Sequence, residues 1–155
     1  AVVDAVNILG GVDVELSKAE FYYINAYITE TVEATGVGSY QLKQAGLNHL
    51  DGVQAVAYAR LRKMDTDFAR TERQREIIDL CFQKLKKSDF AVVNNVMEAV
   101  FPQILSSVTI DDIIPAARNL TKYTIADTMG FPAARSDANM GKKGACVIPR
   151  HWRAM

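Results

Sequence analysis

Apolar and polar positions recur along this chain with two different periods, and the changes of period mark its elements. Val12-Asp13-Val14-Glu15-Leu16 alternates every second residue, as a strand with one buried face does. It follows Gly10-Gly11, where glycine accommodates the left-handed cap that ends a preceding helix. Ser17 and Glu20 then form the pattern of a capping box, and Phe21, Ile24, Ala26, Tyr27, Ile28 and Val32 carry a helix that ends before Gly36-Val37-Gly38. Asp51 is placed to cap a short helix from Gly52 to Ala59, and Thr66 or Asp67 to cap a longer one running to about Lys87. Ser88 or Asp89 caps a further helix through Val100, with Pro102 after its end. Val108-Thr109-Ile110 and Tyr123-Thr124-Ile125-Ala126 read as strands, and between them Asp111-Asp112 begins a short helix reaching about Leu120. The glycines and polar residues from Gly130 to Gly144 read as a loop, and Ala145-Cys146-Val147-Ile148 as a last strand before Pro149. Strands alternating with helices predict an α/β chain, a central β-sheet flanked by helices, folded as one domain over residues 1–155.

Chemistry concentrates in the stretch LDGVQAVAYARLRKMDTDFARTERQREII from Leu50 to Ile78, where basic and amide side chains stand at positions that a core-facing helix fills with apolar ones. The 100° step of a helix puts Arg70, Gln74, Ile77, Cys81 and Leu85 within one stripe, so Arg70 and Gln74 point where the core points. Arg60 and Arg62 are two residues apart, and in an extended segment both guanidinium groups leave the same face. Three arginines and a glutamine can thus converge on one inward pocket. A buried cluster of like charge needs an anion, and planar five-donor guanidinium groups suit phosphate oxygens. Spacing alone fits a solvated basic face paired with Asp65, Asp67 and Glu72 equally well; the inward phase of Arg70 and Gln74 favours the pocket.

Leu50-Asp51-Gly52, Gln54-Ala55, Ala57-Tyr58-Ala59-Arg60-x-Arg62, Asp67-Phe68-x-Arg70 and Arg73-Gln74, in that order, resemble the signature of the LytR-CpsA-Psr family of cell-envelope proteins. Val2-Val3-Asp4-Ala5 followed by Gly10-Gly11-Val12-Asp13-Val14 is similar to the family's other recurring phrase. The likeness covers about half of the chain well and the part beyond Lys87 loosely. It implies a three-layer α/β sandwich and an extracytoplasmic phosphotransferase. Such a protein moves a glycopolymer, teichoic acid or capsular polysaccharide, from an undecaprenyl-pyrophosphate carrier to peptidoglycan, with Mg²⁺ or Mn²⁺. On that resemblance Arg60, Arg62, Arg70 and Gln74 correspond to pyrophosphate-contacting positions, the three arginines being the catalytic ones, and Asp67 is a polar position of the same site. Phosphoryl transfer depends on positioning and charge stabilisation, which arginines and a metal supply. In the family the domain begins before the equivalent of Ala1, and that earlier part holds the metal-binding carboxylates and the membrane anchor. The chain is therefore expected to be a fragment with one wall of the site and no metal ligands, inactive by itself. The competing functional readings are a non-catalytic polyprenyl-phosphate-binding or regulatory envelope protein, and a structural segment whose arginines make internal ion pairs.

Composition changes little in this picture. At 155 residues and 49% hydrophobic the chain can bury one core, and 18 basic against 18 acidic residues give no general attraction to nucleic acid. No run approaches the roughly 18 apolar residues of a membrane span. His49 and His151 lie far apart without ligand spacing around them, no glycine-rich phosphate loop follows a strand, and Asp111-Asp112 suits helix capping better than metal binding. Cys81, on the stripe of the long helix, and Cys146, in the last strand, are compatible with a disulfide in an exported protein or with two buried thiols.

Overall fold

The computed structural model describes residues 1–63, 67–105, 107–128, 135–139, 141 and 145–149. Its elements run α1 (Val2–Ile8), β1 (Val12–Leu16), α2 (Lys18–Thr35), β2 (Gly46–Leu50), α3 (Gly52–Arg60), α4 (Asp67–Lys87), α5 (Phe90–Val100), a 3-10 turn (Phe101–Gln103), α6 (Ile110–Arg118), a second such turn (Leu120–Lys122), β3 (Arg135–Asn139) and β4 (Ala145–Pro149). The α/β class expected from the sequence is the class observed. The chain divides into two compact units, Ala1–Thr124 and Ile125–Met155.

In the first unit β1 and β2 pair antiparallel, with Val12 opposite Leu50 and Leu16 opposite Gly46. Alternation works as read: Val12, Val14 and Leu16 are buried while Asp13 and Glu15 face solvent. Val12, Val14, Leu16 and Leu50 join Val3 and Val6 of α1, Ile24 and Ile28 of α2, Val53, Ala55, Ala57 and Tyr58 of α3, Leu61 just after α3, and Ile77 of α4 in one core. The crossing of α1 and α3 is close. Gly52, the first residue of α3, lies so near Val3 that an added Cβ would stand 2.1 Å from the Val3 carbonyl oxygen, and its N–H donates to Asn7 Oδ1 at 2.7 Å.

Caps fix where the helices begin. Ser17 and Glu20 satisfy each other's backbone N–H at the start of α2, Gly36 at φ 69° ends it, and Asp51 with Gln54 repeats the box at the start of α3. Buried Gln54 also donates through Nε2 to the Tyr40 carbonyl at 2.8 Å, and Asn25 exchanges two hydrogen bonds with the Leu42 backbone. These two amides hold the irregular segment between α2 and β2. Asp89 caps α5 by accepting from the Val92 N–H.

Several expected elements differ. Val108-Thr109-Ile110 is not a strand, because Thr109 accepts from the Asp112 N–H and caps α6 one residue earlier than the Asp111-Asp112 pair would. Those two Thr109 contacts hold the Asp112 carboxyl below its ordinary range, Thr109 donating to it through both Oγ1 and backbone N–H. Tyr123–Ala126 forms no strand; exposed Tyr123 and Ile125 find no partner strand among the described residues. β2 was not legible as a strand, since Leu47 and His49 of its five residues face solvent. In the second unit β3 occupies part of the stretch read as a loop, pairing antiparallel with β4 so that Ala138 stands opposite Cys146.

Cys81 and Cys146 are not joined in this structure, and each is half-buried in its own unit, Cys81 on α4 against the core and Cys146 on β4. Burial raises the Cys81 thiol above its ordinary value, with Lys84 pulling the other way, so less of it is thiolate at any given pH. Alkylation of Cys81 by iodoacetamide at pH 8 is expected to be slower than that of a cysteine in an unfolded peptide. A Cys81–Cys146 peptide in a non-reducing digest would contradict this.

Candidate functional site

The expected site residues gather where α3 ends and α4 begins. Asp51 starts α3, its nine residues carry the chain to Arg60, and Leu61 stops the helix by turning to φ −52°, ψ 129° with its side chain fully buried. Arg60 is still helical, so the extended Arg60–Arg62 pair read from the sequence is corrected: the two side chains leave from a helix end and from the turn after it. Arg60 Nη1 donates to Thr31 Oγ1 at 2.9 Å, and Nη2 lies 3.6 Å from Glu30 Oε2, so α2 steadies this guanidinium at a half-exposed position. Arg62 is exposed.

On α4 the expected stripe holds at Ile77 and Cys81, but residue 73 takes the inward place expected for residue 74. Arg73 and Ile77 are buried, Arg70 is half-buried and Gln74 is exposed. The inward direction expected for Gln74 is thus wrong, and Arg73, which the sequence reading left out of the site, occupies the core position. A helix stripe about 100° wide admits either choice, and the pairing of residues 73 and 77 at i, i+4 was the available signal. Asp67 is the first residue of α4; its side chain lies outside the described residues, as do Asp65, Thr66 and His151.

Hydrogen bonds from α4 reach the backbone at the end of α3. Arg73 Nη2 donates to the Leu61 carbonyl at 2.7 Å, and Gln74 Nε2 lies 3.5 Å from the Ala59 carbonyl. Neighbouring side chains of α4 therefore hold the backbone on both sides of Arg60, and the helix is laid across the end of α3. Arg70 stands one turn before Gln74 on that helix. What results is a seam at which Arg60, Arg62 and Arg70 stand, with Gln74 exposed beside them.

Beneath the seam Arg73 Nη1 faces Glu20 Oε1 at 3.5 Å, and its guanidinium carbon lies 6.0 Å from the centre of the Tyr58 ring. Tyr58 donates its hydroxyl to Glu76 Oε2 at 2.7 Å. Burial, reinforced by that carboxylate, pushes the Tyr58 hydroxyl well above its ordinary range, so it stays protonated and keeps donating. Among the described residues no three His, Cys, Asp or Glu side chains lie together as a metal site would need. No helix among them is long and apolar enough to cross a membrane.

An arrangement of cations beside a fixed backbone can bind an anion and stabilise negative charge developing on it. Comparisons with known proteins bear on which anion. The model of the LytR_cpsA_psr family matches residues 1–140. The chain is 32% identical to an uncharacterized protein of Staphylococcus aureus (strain NCTC 8325 / PS 47) over 76% of this chain and 27% of that protein. It is 28% identical to the polyisoprenyl-teichoic acid–peptidoglycan teichoic acid transferase TagT of Bacillus subtilis (strain 168), over 72% of this chain and 32% of the relative. The solved structure of TagT bound to LIIa-WTA superposes with a TM-score of 0.53 at 28% identity, covering 77% of this chain and 41% of that one. The chain thus spans about a third of the length of these curated relatives.

Proposed function

The chain belongs to the LytR-CpsA-Psr family, and on that premise we propose that its arginine seam binds the pyrophosphate of a polyprenyl-linked glycopolymer in an extracytoplasmic, membrane-anchored phosphotransferase. The donor is a teichoic acid or capsular polysaccharide on its lipid carrier, and the acceptor is peptidoglycan. A relative named as a teichoic acid transferase, with a solved structure described as bound to LIIa-WTA, supports this choice of substrate class.

The observation that carries the proposal is the joining of α3 and α4 on both sides of Arg60, through Leu61 and Ala59. It sets Arg60, Arg62 and Arg70 along one seam before any ligand arrives. In the reaction an acceptor hydroxyl oxygen bonds to the glycan-bearing phosphorus, the bridging P–O bond breaks, the hydroxyl proton is released and polyprenyl monophosphate leaves. Arg62 and Arg70 neutralise the oxygens on which charge accumulates, Arg60 shares its guanidinium between Glu30 and the phosphate, and Gln74 donates from the rim. Asp67 opens α4 beside them. Mg²⁺ or Mn²⁺ remains part of the proposal for the full-length protein. The described residues do not form a site for it, and no step above passes through it.

The test is to incubate the full-length protein with a polyprenyl-pyrophosphate-linked glycan and peptidoglycan. Glycan joined to peptidoglycan through a phosphodiester, with polyprenyl monophosphate released in equal amount, is the expected outcome. Release of free glycan phosphate by water alone would oppose it.

A further inference from the structure

We propose that Arg73 is the positioning residue of the seam: a buried guanidinium that fixes the backbone between Arg60 and Arg62 against α4 without itself touching the phosphate. This rests on the pyrophosphate reading above.

The Arg73 side chain is 6% exposed and directed into the protein, so it lies out of reach of a head group arriving from solvent. Its Nη2 donates to the carbonyl of Leu61, the residue between the two seam arginines, at 2.7 Å. Its other terminal nitrogen faces Glu20 Oε1, while Glu20 Oε2 is taken up by the Ser17 N–H at 2.9 Å and the Ser17 hydroxyl at 2.8 Å. The carboxylate is thereby held by the cap of α2 and cannot follow Arg73 if the guanidinium shifts. The Tyr58 ring lies alongside, itself anchored to Glu76 one turn beyond Arg73 on α4. One planar cation therefore joins the start of α2, the end of α3 and the start of α4.

Planarity is what the position uses. Guanidinium presents donors in a rigid fork and can hold the Leu61 carbonyl and the Glu20 carboxylate at a set angle, whereas the ammonium of lysine is a single rotating centre. A turn of the Leu61 peptide would swing Arg60 and Arg62 apart, and catalysis is sensitive to misplacement of about 1 Å. Burying a cation costs desolvation that an apolar residue of similar volume would avoid, so its contribution is geometric rather than a net gain in stability.

The experiment measures, in the full-length protein, affinity for geranylgeranyl pyrophosphate by calorimetry together with Tm. Arg73→Lys is compared with Arg62→Ala and Arg70→Ala, and with Val6→Ala, a core truncation in α1, far along α3 from Arg60. Arg73→Lys is expected to weaken binding about tenfold or more, as Arg62→Ala and Arg70→Ala do, with a Tm loss no greater than that of Val6→Ala, which binds normally. Glu20→Gln, which retains the cap because glutamine also completes a capping box, is expected to weaken binding several-fold and serves if Arg73→Lys does not fold. Normal binding by Arg73→Lys or by Glu20→Gln, with Arg62→Ala and Arg70→Ala impaired, would overturn the positioning role and leave the pyrophosphate reading standing. A loss in Arg73→Lys matched by Val6→Ala would overturn it too. Normal binding by Arg62→Ala and Arg70→Ala would overturn the pyrophosphate reading itself.

Discussion

Replacing Arg62 or Arg70 by alanine in the full-length protein is expected to slow glycopolymer transfer by roughly 10²–10³-fold, the loss seen when one donor to a developing oxyanion is removed. Stability should change little. Arg62 is exposed and Arg70 half-buried, and neither belongs to the apolar core. The effect should fall on kcat more than on KM if these arginines meet charge that grows in the transition state. Lys87→Ala is the control, an exposed cation at the far end of the same helix. Rate assays on the purified variants check the prediction, and an equal loss for Lys87→Ala would show a general electrostatic effect instead of a local one.

The second large effect concerns the fold. Gly52→Ala should destabilise the protein by about 3 kcal/mol, the upper part of the range for adding a methyl group to a packed interior. The new Cβ would meet backbone, not a side chain able to turn away: the Val3 carbonyl oxygen at 2.1 Å and the Val3 carbonyl carbon at 2.8 Å. Relief requires α1 and α3 to separate, which also strains the bond from the Gly52 N–H to Asn7. A Tm lowered by roughly 10 °C follows from the usual scaling for a domain of this size. Gly38→Ala, where the added Cβ meets nothing within 4 Å, should lie within about 0.5 kcal/mol of wild type. Thermal unfolding of the two variants side by side decides it.

What the sequence made legible and what it did not have different physical origins. Caps and alternation are local, so β1, the box at Ser17 and Glu20, the Asp51 cap and the end of α4 at Lys87 could all be read from neighbouring residues. β2 is held by pairing with β1 and by little of its own sequence, and Tyr123–Ala126 has strand-forming residues but no partner strand among the described residues. At the site, residue types and approximate place were readable: Arg60, Arg62, Arg70 and Gln74 do stand near one junction. The phase of α4 was not, because whether residue 73 or 74 faces inward depends on Leu61, Tyr58 and Glu20 arriving from other elements. The internal ion-pair reading also describes part of what is found, for Arg73 with Glu20 and Arg60 with Glu30.

The seam as the pyrophosphate site is tested most directly by a crystal structure of the full-length protein with geranylgeranyl pyrophosphate. The predicted result is phosphate oxygens within about 3 Å of the guanidinium nitrogens of Arg62 and Arg70, with Arg73 still on the Leu61 carbonyl. A head group bound elsewhere, with Arg62 and Arg70 making no contact to it, would contradict it.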